Sequence, residues 1–192
     1  MPAYYIGVDV GTGSARAALV QQDGVLVASS AHDTPTWRDE GDHRIFEQST
    51  TATWAAICSA VKDVVAESKI NPSDVKGLGF DATCSLAVTD MNGAPVCITG
   101  GENLGLEGER NIILWADHRA EKEAELINST GSAVLDYVGG IMSVSTCSAG
   151  LHMMGIEGTE TSARFTVGDG DTENSLAQDP HETRAFFSLP VL

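Results

Sequence analysis

Asp9, Gly11, Thr12, Gly13, Ser14 and Arg16 lie together in the stretch GVDVGTGSAR. The backbone N–H groups of Gly11 to Ser14 can turn into one concavity and bind anionic oxygens. Glycine there leaves no Cβ to block the turn or the approach of a phosphate. An acid beside such a loop makes sense with a cation between acid and phosphate. A Mg²⁺ held by Asp9 and several waters turns repulsion into a bridge. Arg16 can supply positive charge toward a transferred phosphoryl group. The competing reading is a plain hairpin with a glycine-rich turn.

The elements around these residues narrow the choice. Tyr4 to Val10 alternates Ile6, Val8 and Val10 against Tyr5, Gly7 and Asp9, the period of a strand. Ala15 to Val20 returns as a second strand, and Val25 to Ser29 is a third. Short turns between them imply an antiparallel meander. A dinucleotide fingerprint would open a helix after the glycines, and this turn opens a strand. A G-x-x-x-x-G-K-[ST] loop is absent, and no lysine occurs before Lys62.

Residues 31–48 read as polar and irregular. From Ser49 or Thr50, a natural N-cap, Trp54, Ile57, Cys58, Val61 and Val65 recur at helical spacing. Asn71-Pro72 ends that helix. Val75 to Phe80 reads as a buried strand and Ser85 to Thr89 as another; Asn92-Gly93 marks a hairpin, with Val96 to Ile98 continuing it. Residues 99–109 form an acidic, glycine-rich loop before a short buried strand, Asn111 to Trp115. Ala120 to Asn128 and Ser132 to Val138 read as helices. Residues 145–192 show no sustained period and are expected to form a disordered or irregular tail.

A formal net charge of -16 excludes nucleic acid and anionic lipid as bulk partners. No apolar run reaches the roughly 20 residues of a membrane helix, and the first residues lack a secretory pattern. Cys58, Cys84, Cys97 and Cys147 form no C-x-x-C pair, which favours reduced thiols and a cytoplasmic location.

Two further segments carry chemistry, GLGFDATCSLAV (residues 77–88) and WADHRA (residues 115–120). Each residue in them has an alternative role. Trp115 ends an apolar strand and could pack in a core or offer a sugar platform. Asp117 could cap a helix beginning near His118. His118 could be a structural hydrogen-bonding group, Asp81 could close a turn, and Cys84 could be a small buried residue.

Together with GVDVGTGSARAALV and YVGGIMS (residues 137–143), these segments resemble the FGGY carbohydrate kinases of the actin-like ATPase superfamily, closest to their D-ribulose kinase branch. The resemblance covers residues 4–144. It implies an α/β domain of ribonuclease-H-like fold: a mixed sheet that starts as a three-stranded antiparallel meander, flanked by helices. It implies ATP-dependent phosphorylation of a pentulose such as D-ribulose, with Mg²⁺ as the metal. Carried over by position, Asp9 serves Mg²⁺, Gly11, Thr12, Gly13 and Ser14 lie along the ATP phosphates, and Arg16 lies near the γ-phosphate. Thr83, Cys84, Trp115, Asp117, His118 and Arg119 line the sugar side.

Family members are longer. The resemblance places their general base, an aspartate, and their adenosine pocket in sequence beyond this region. The expectation is therefore a truncated kinase domain with little turnover. A face exposed by the missing half would then suit a protein partner or self-association. The alternative is a non-catalytic module that binds nucleotide or sugar and acts through a partner.

Overall fold

The computed structural model describes residues 2–144 and the strand Thr183–Phe187. In chain order the strands are β1 (Tyr4–Val10), β2 (Ser14–Gln21), β3 (Leu26–Asp33), β4 (Trp37–Arg38), β5 (Phe46–Gln48), β6 (Val75–Ala82), β7 (Leu86–Asp90), β8 (Ile112–Ile113) and β9 (Thr183–Phe187). Helix α1 (Thr50–Ser68) lies between β5 and β6; α2 (Glu121–Ser129) and α3 (Val134–Tyr137) follow β8. The chain forms two compact units. One comprises residues 2–36 and 48–84, the other residues 37–47, 85–144 and 183–187.

The first unit is a four-stranded mixed sheet in the order β3-β2-β1-β6. The expected meander is present: β1 pairs antiparallel with β2, and β2 with β3. β6 then adds to β1 in parallel, after the crossover through α1. One face of the sheet buries Ile6, Val8, Ala15, Ala17, Leu19 and Ala28 against Ala56, Ile57, Ala60 and Val64 of α1. Alanines on both sides let the helix axis come close to the strands.

Of the positions expected on the buried face, Ile57 is in the core and Val61 and Val65 pack against it, whereas Trp54 is turned out. Trp54 is 60% exposed, and the fully buried positions are Ala60 and Val64. The Ser49 hydroxyl caps α1 by accepting from the Ala52 N–H at 3.2 Å. Asp63 of α1 accepts from Ser30 (3.1 Å) and pairs with His32 (2.7 Å), both on β3. The His32 and Ser30 hydrogen bonds hold the Asp63 carboxyl below its ordinary range.

Two expectations are corrected here. β6 is not buried: Leu78 and Phe80 are 45% and 49% exposed. They pair in register with Ile6 and Val8, so they share the helix-facing side. β6, however, is an edge strand, and α1 lies over β2 and β3. Residues 31–48 are not wholly irregular, since they contain the end of β3 and the strands β4 and β5.

The second unit has the strand order β4-β5-β8-β7-β9. Its interior holds Leu86, Val88, Val96, Cys97, Ile98, Ile112, Ile113 and Leu114. The Asn92-Gly93 turn is present, with Gly93 at φ 86°. The segment after it makes isolated bridges, Thr89 to Pro95 and Val96 to Glu107, in place of the expected strand. Within the expected tail, Thr183–Phe187 is a strand antiparallel to β7, Leu86 facing Phe187. The rest of that tail, with Cys147, lies outside the described residues. Cys58, Cys84 and Cys97 are free thiols.

Helix α1 stops earlier than Asn71-Pro72 implied. Lys69 takes the left-handed conformation at φ 55° directly after Ser68. A side chain in that region is strained where glycine is not. Lys69→Gly should therefore raise unfolding stability by up to ~1 kcal/mol in urea titration.

Candidate functional site

In the first unit, the face of the sheet away from α1 is open. Neighbours in register share a face, so Gly7 stands between Ala18 and Gly79, and Asp9 between Arg16 and Asp81. The floor is built of small residues, and a concavity of about 800 Å³ opens above it. Two carboxylates and one guanidinium form a row across three strands at its rim. Arg16 Nη1 lies 3.0 Å from Asp9 Oδ2, with both side chains more than half exposed. Such a pair is worth ~0–1 kcal/mol, so either partner can exchange it for another ion. The donor set of Asp9 with Asp81 alongside, open to water, suits a hard divalent cation that keeps most of its waters.

The glycine turn joins β1 to β2 at the end of this row. Gly11 N–H donates to Ser14 O at 3.0 Å, so that amide belongs to the turn and does not face the concavity as expected. Thr12 O accepts from Gln48 Nε2 at 2.6 Å, and Gly13 O accepts from Thr34 N–H at 3.0 Å. Neither Gly11 nor Gly13 has a positive φ. A Cβ on Gly13 would meet nothing within 4 Å, and one on Gly11 only Ser14 O at 3.5 Å. The fold itself does not demand glycine at either position, and what glycine leaves is open space. Thr83 N–H donates to Val10 O at 3.1 Å. Thr83 and the exposed Cys84 fall in the unit of the glycine turn, and the other expected sugar-side residues fall in the second unit.

In the second unit, residues 115–119 make a turn with Asp117 N–H on Leu114 O at 2.9 Å. Trp115 (45% exposed) and His118 stand outward, and Asp117 is buried at 2%. Asp117 does not cap α2, which starts at Glu121 without a side-chain cap. Its Oδ1 accepts from Arg119 N–H (2.9 Å), closing an Asx turn, and its Oδ2 from Phe46 N–H (2.9 Å).

The Arg119 guanidinium bridges inward. Nε lies 3.0 and 3.1 Å from the Asp117 oxygens, and Nη1 donates to Glu47 Oε1 at 2.8 Å. Glu47 is fully buried; Thr99 Oγ1 donates to its Oε2 at 2.7 Å, and Arg110 lies 3.9 Å away. His118 N–H is held by Arg44 O at 2.9 Å. Arg44 in turn grips Asp42, which holds the Asp42 carboxyl down at about 2.

Gln48 and Glu47 are candidate residues absent from the sequence reasoning, which gives Asp81 only a turn-closing role. Asp81 could have been found from the equal spacing of the two strands: pairing Gly7 with Gly79 puts Asp9 beside it. Nothing local marks Gln48 or Glu47, because their partners are distant in sequence.

Residues 4–143 match the sequence profile of the FGGY family of carbohydrate kinases, N-terminal domain. The chain belongs to the FGGY family of carbohydrate kinases. It is 48% identical over 141 residues to a human FGGY carbohydrate kinase domain-containing protein, covering 73% of this chain and 24% of that one. It is 45% identical over 141 residues to a D-ribulokinase of Saccharomyces cerevisiae, covering 73% of this chain and 19% of that protein. This FGGY chain therefore spans about a quarter or less of those relatives.

The fold is that of solved sugar kinases. A xylulose kinase from Brucella ovis superposes with TM-score 0.66 at 19% identity, over 80% of this chain and 29% of that one. A gluconate kinase from Lactobacillus acidophilus gives 0.65 at 21%, over 83% and 30%. The ribonuclease-H-like, actin-type mixed sheet expected from the FGGY motifs is the sheet observed. Among the described residues no helix is long and apolar enough to cross a membrane.

The ion relay around Arg119 yields two expected outcomes. Arg119→Ala removes the guanidinium shared by two buried carboxylates, leaving Glu47 only Arg110 at 3.9 Å as a cation, and should cost about 3–5 kcal/mol in denaturant unfolding, well beyond an exposed arginine such as Arg38. Asp42 has a depressed folded pKa, so its contribution is complete above the usual 3.8 and is lost as pH falls toward about 2. The His118 amide resonance should move over that interval in the wild type and stay put in Asp42→Asn.

Proposed function

We propose that the chain is the phosphate-gripping and sugar-facing part of an ATP-dependent pentulose kinase, with D-ribulose as acceptor. The observation that carries the reading is the open glycine turn beside the row Asp81-Asp9-Arg16. The yeast relative's name and the FGGY membership support the substrate class.

In this reading Gly11, Thr12, Gly13 and Ser14 border the ATP phosphates. Arg16 leaves its exposed pairing with Asp9 to face the γ-phosphate. Asp9, with Asp81 beside it, holds Mg²⁺ through water. That ion, when bound, screens the phosphate charge. Trp115 and His118 of the second unit are assigned to the sugar, Trp115 offering its ring as an apolar platform for C–H groups, and Thr83 and Cys84 of the first unit keep the sugar-side role that the family resemblance implies. Asp117 and Arg119 serve the same segment from within, fixing the turn that presents Trp115 and His118.

The acceptor hydroxyl gives its proton to a base, its oxygen attacks the γ-phosphorus in line, and ADP leaves. The base is assigned to none of the described residues, and a missing base costs a factor of ~10²–10⁴. Turnover by these residues alone is therefore proposed to fall far below ~1–10³ s⁻¹. The reading includes a cytoplasmic location, no nucleic-acid or membrane partner, and a protein surface or second copy covering Leu78 and Phe80.

Calorimetric titration tests the reading. Mg·ATP should bind, and Asp9→Asn should weaken magnesium-dependent binding by about tenfold or more, as loss of a charge-assisted contact does. Equal affinity in wild type and Asp9→Asn would sink it. Gly13→Ala separates fold from function: unfolding stability should change by less than ~1 kcal/mol, while Mg·ATP affinity falls because the methyl group occupies the space left for phosphate. D-ribulose should quench the emission of Trp115, and Trp115→Ala should abolish that response.

A further inference from the structure

We infer that Gln48 is the positioning residue of the phosphate turn, an inference that rests on the proposed nucleotide reading. Gln48 is 5% exposed, and its Nε2 reaches three oxygens: Thr12 O at 2.6 Å, Thr36 Oγ1 at 3.1 Å and Thr34 Oγ1 at 3.5 Å. The shortest contact falls on the carbonyl at the tip of the turn. Among the described residues no peptide bond is cis. In a trans peptide plane the C=O and the following N–H point in opposite directions. Drawing Thr12 O inward onto Gln48 therefore turns the Gly13 N–H away from Gln48; a Cβ on the same residue would meet nothing within 4 Å, so the turn is open beside that donor.

Thr36 Oγ1 also reaches Thr12 O, but at 3.5 Å, the outer limit of a hydrogen bond. Gln48 is the strong member of the pair. Without it the peptide plane between Thr12 and Gly13 can rotate, and the donor loses its direction. The residue type follows from the partners. Thr12 O can only accept, so the group beneath it must donate. A carboxylate there would repel that oxygen and set a negative charge under the phosphates. A buried neutral amide presents the donor without adding charge to the site.

The test uses the full chain labelled with ¹⁵N and ¹³C. In the wild type, a through-hydrogen-bond coupling between Gln48 Nε2 and the Thr12 carbonyl carbon should be measurable; its absence overturns the inference whether or not any variant folds. Gln48→Met keeps length and bulk without a donor, and Gln48→Glu replaces the donor by an acceptor. Both should shift the Gly13 amide resonance and weaken Mg·ATP by about tenfold, the effect of losing one well-directed donor to a charged group, with Gln48→Glu the weaker binder.

Val64→Ala serves as a control of comparable instability in the core and should leave Mg·ATP affinity unchanged. Unaltered affinity and an unmoved Gly13 amide in Gln48→Met overturn the role of Gln48. If the wild type fails to bind Mg·ATP, the nucleotide reading falls by itself. The coupling and the Gly13 shift in Gln48→Met still decide whether Gln48 sets the turn.

Discussion

The register of β1 between two unlike neighbours governs what this chain can do. A strand displays alternate residues on opposite faces, so a slip by one position exchanges every inward side chain with an outward one. Here slippage is blocked by packing: Ile6, Val8, Ala15, Ala17 and Leu19 are all nearly inaccessible under α1. Burying even two or three aliphatic side chains of this kind is worth several kcal/mol at ~1.5–3 kcal/mol each. The inverted register would bury Asp9 and Arg16 instead. The apolar face thus chooses the polar one. Asp9 and Arg16 stand side by side on the open face because Val8, Ala15 and Ala17 are buried on the other. The parallel addition of β6 is what brings the second carboxylate to that row.

The two candidate turns are braced from behind by different physics. The glycine turn is held by a neutral amide, Gln48, and by backbone donors. The turn at residues 115–119 is held by buried ions, Glu47 and Asp117 around Arg119. A neutral brace suits a site that must collect negative charge, because it adds none. An ionic brace is directional: the planar guanidinium fixes both carboxylates in one geometry, and loss of Arg119 removes the partner that the two share. Such a cluster contributes little net stability compared with an apolar core of the same volume. Its effect is to leave the turn a single arrangement, with Trp115 and His118 facing outward.

The sequence makes the strand alternation, the glycine turn and the N-cap Ser49 readable because each is decided by residues close together in the chain. Its errors share one cause, the influence of distant partners. Trp54 belongs to the helical stripe by size and spacing, whereas the face of α1 that packs on the sheet centres on Ala56, Ile57, Ala60 and Val64. β6 has the composition of a buried strand, but its exposure depends on how far α1 extends across the sheet. Gln48 and Glu47 sit in a polar stretch without periodicity, and their partners lie 36 and 72 residues away in sequence. Asp117 looked like a helix cap because its local context fits one; the competing donor, Phe46 N–H, arrives from a separate strand.

A chain of net charge -16 that is proposed to hold a polyanion raises an electrostatic objection, and distance answers it. At physiological ionic strength the Debye length is ~8 Å, so exposed charges beyond that separation are largely screened. The carboxylates that matter are therefore the near ones, Asp9 and Asp81, and these are the groups that a divalent ion would neutralise. The rest of the contact relies on backbone amides, whose dipoles are fixed by the fold and lose nothing to screening at hydrogen-bond range. The acidity of the remaining surface discourages longer polyanions, whose charges extend many Debye lengths from the turn. In the proposed site, selectivity for a compact phosphate chain over nucleic acid would then follow from one arrangement: a short-range grip in a long-range repulsive field.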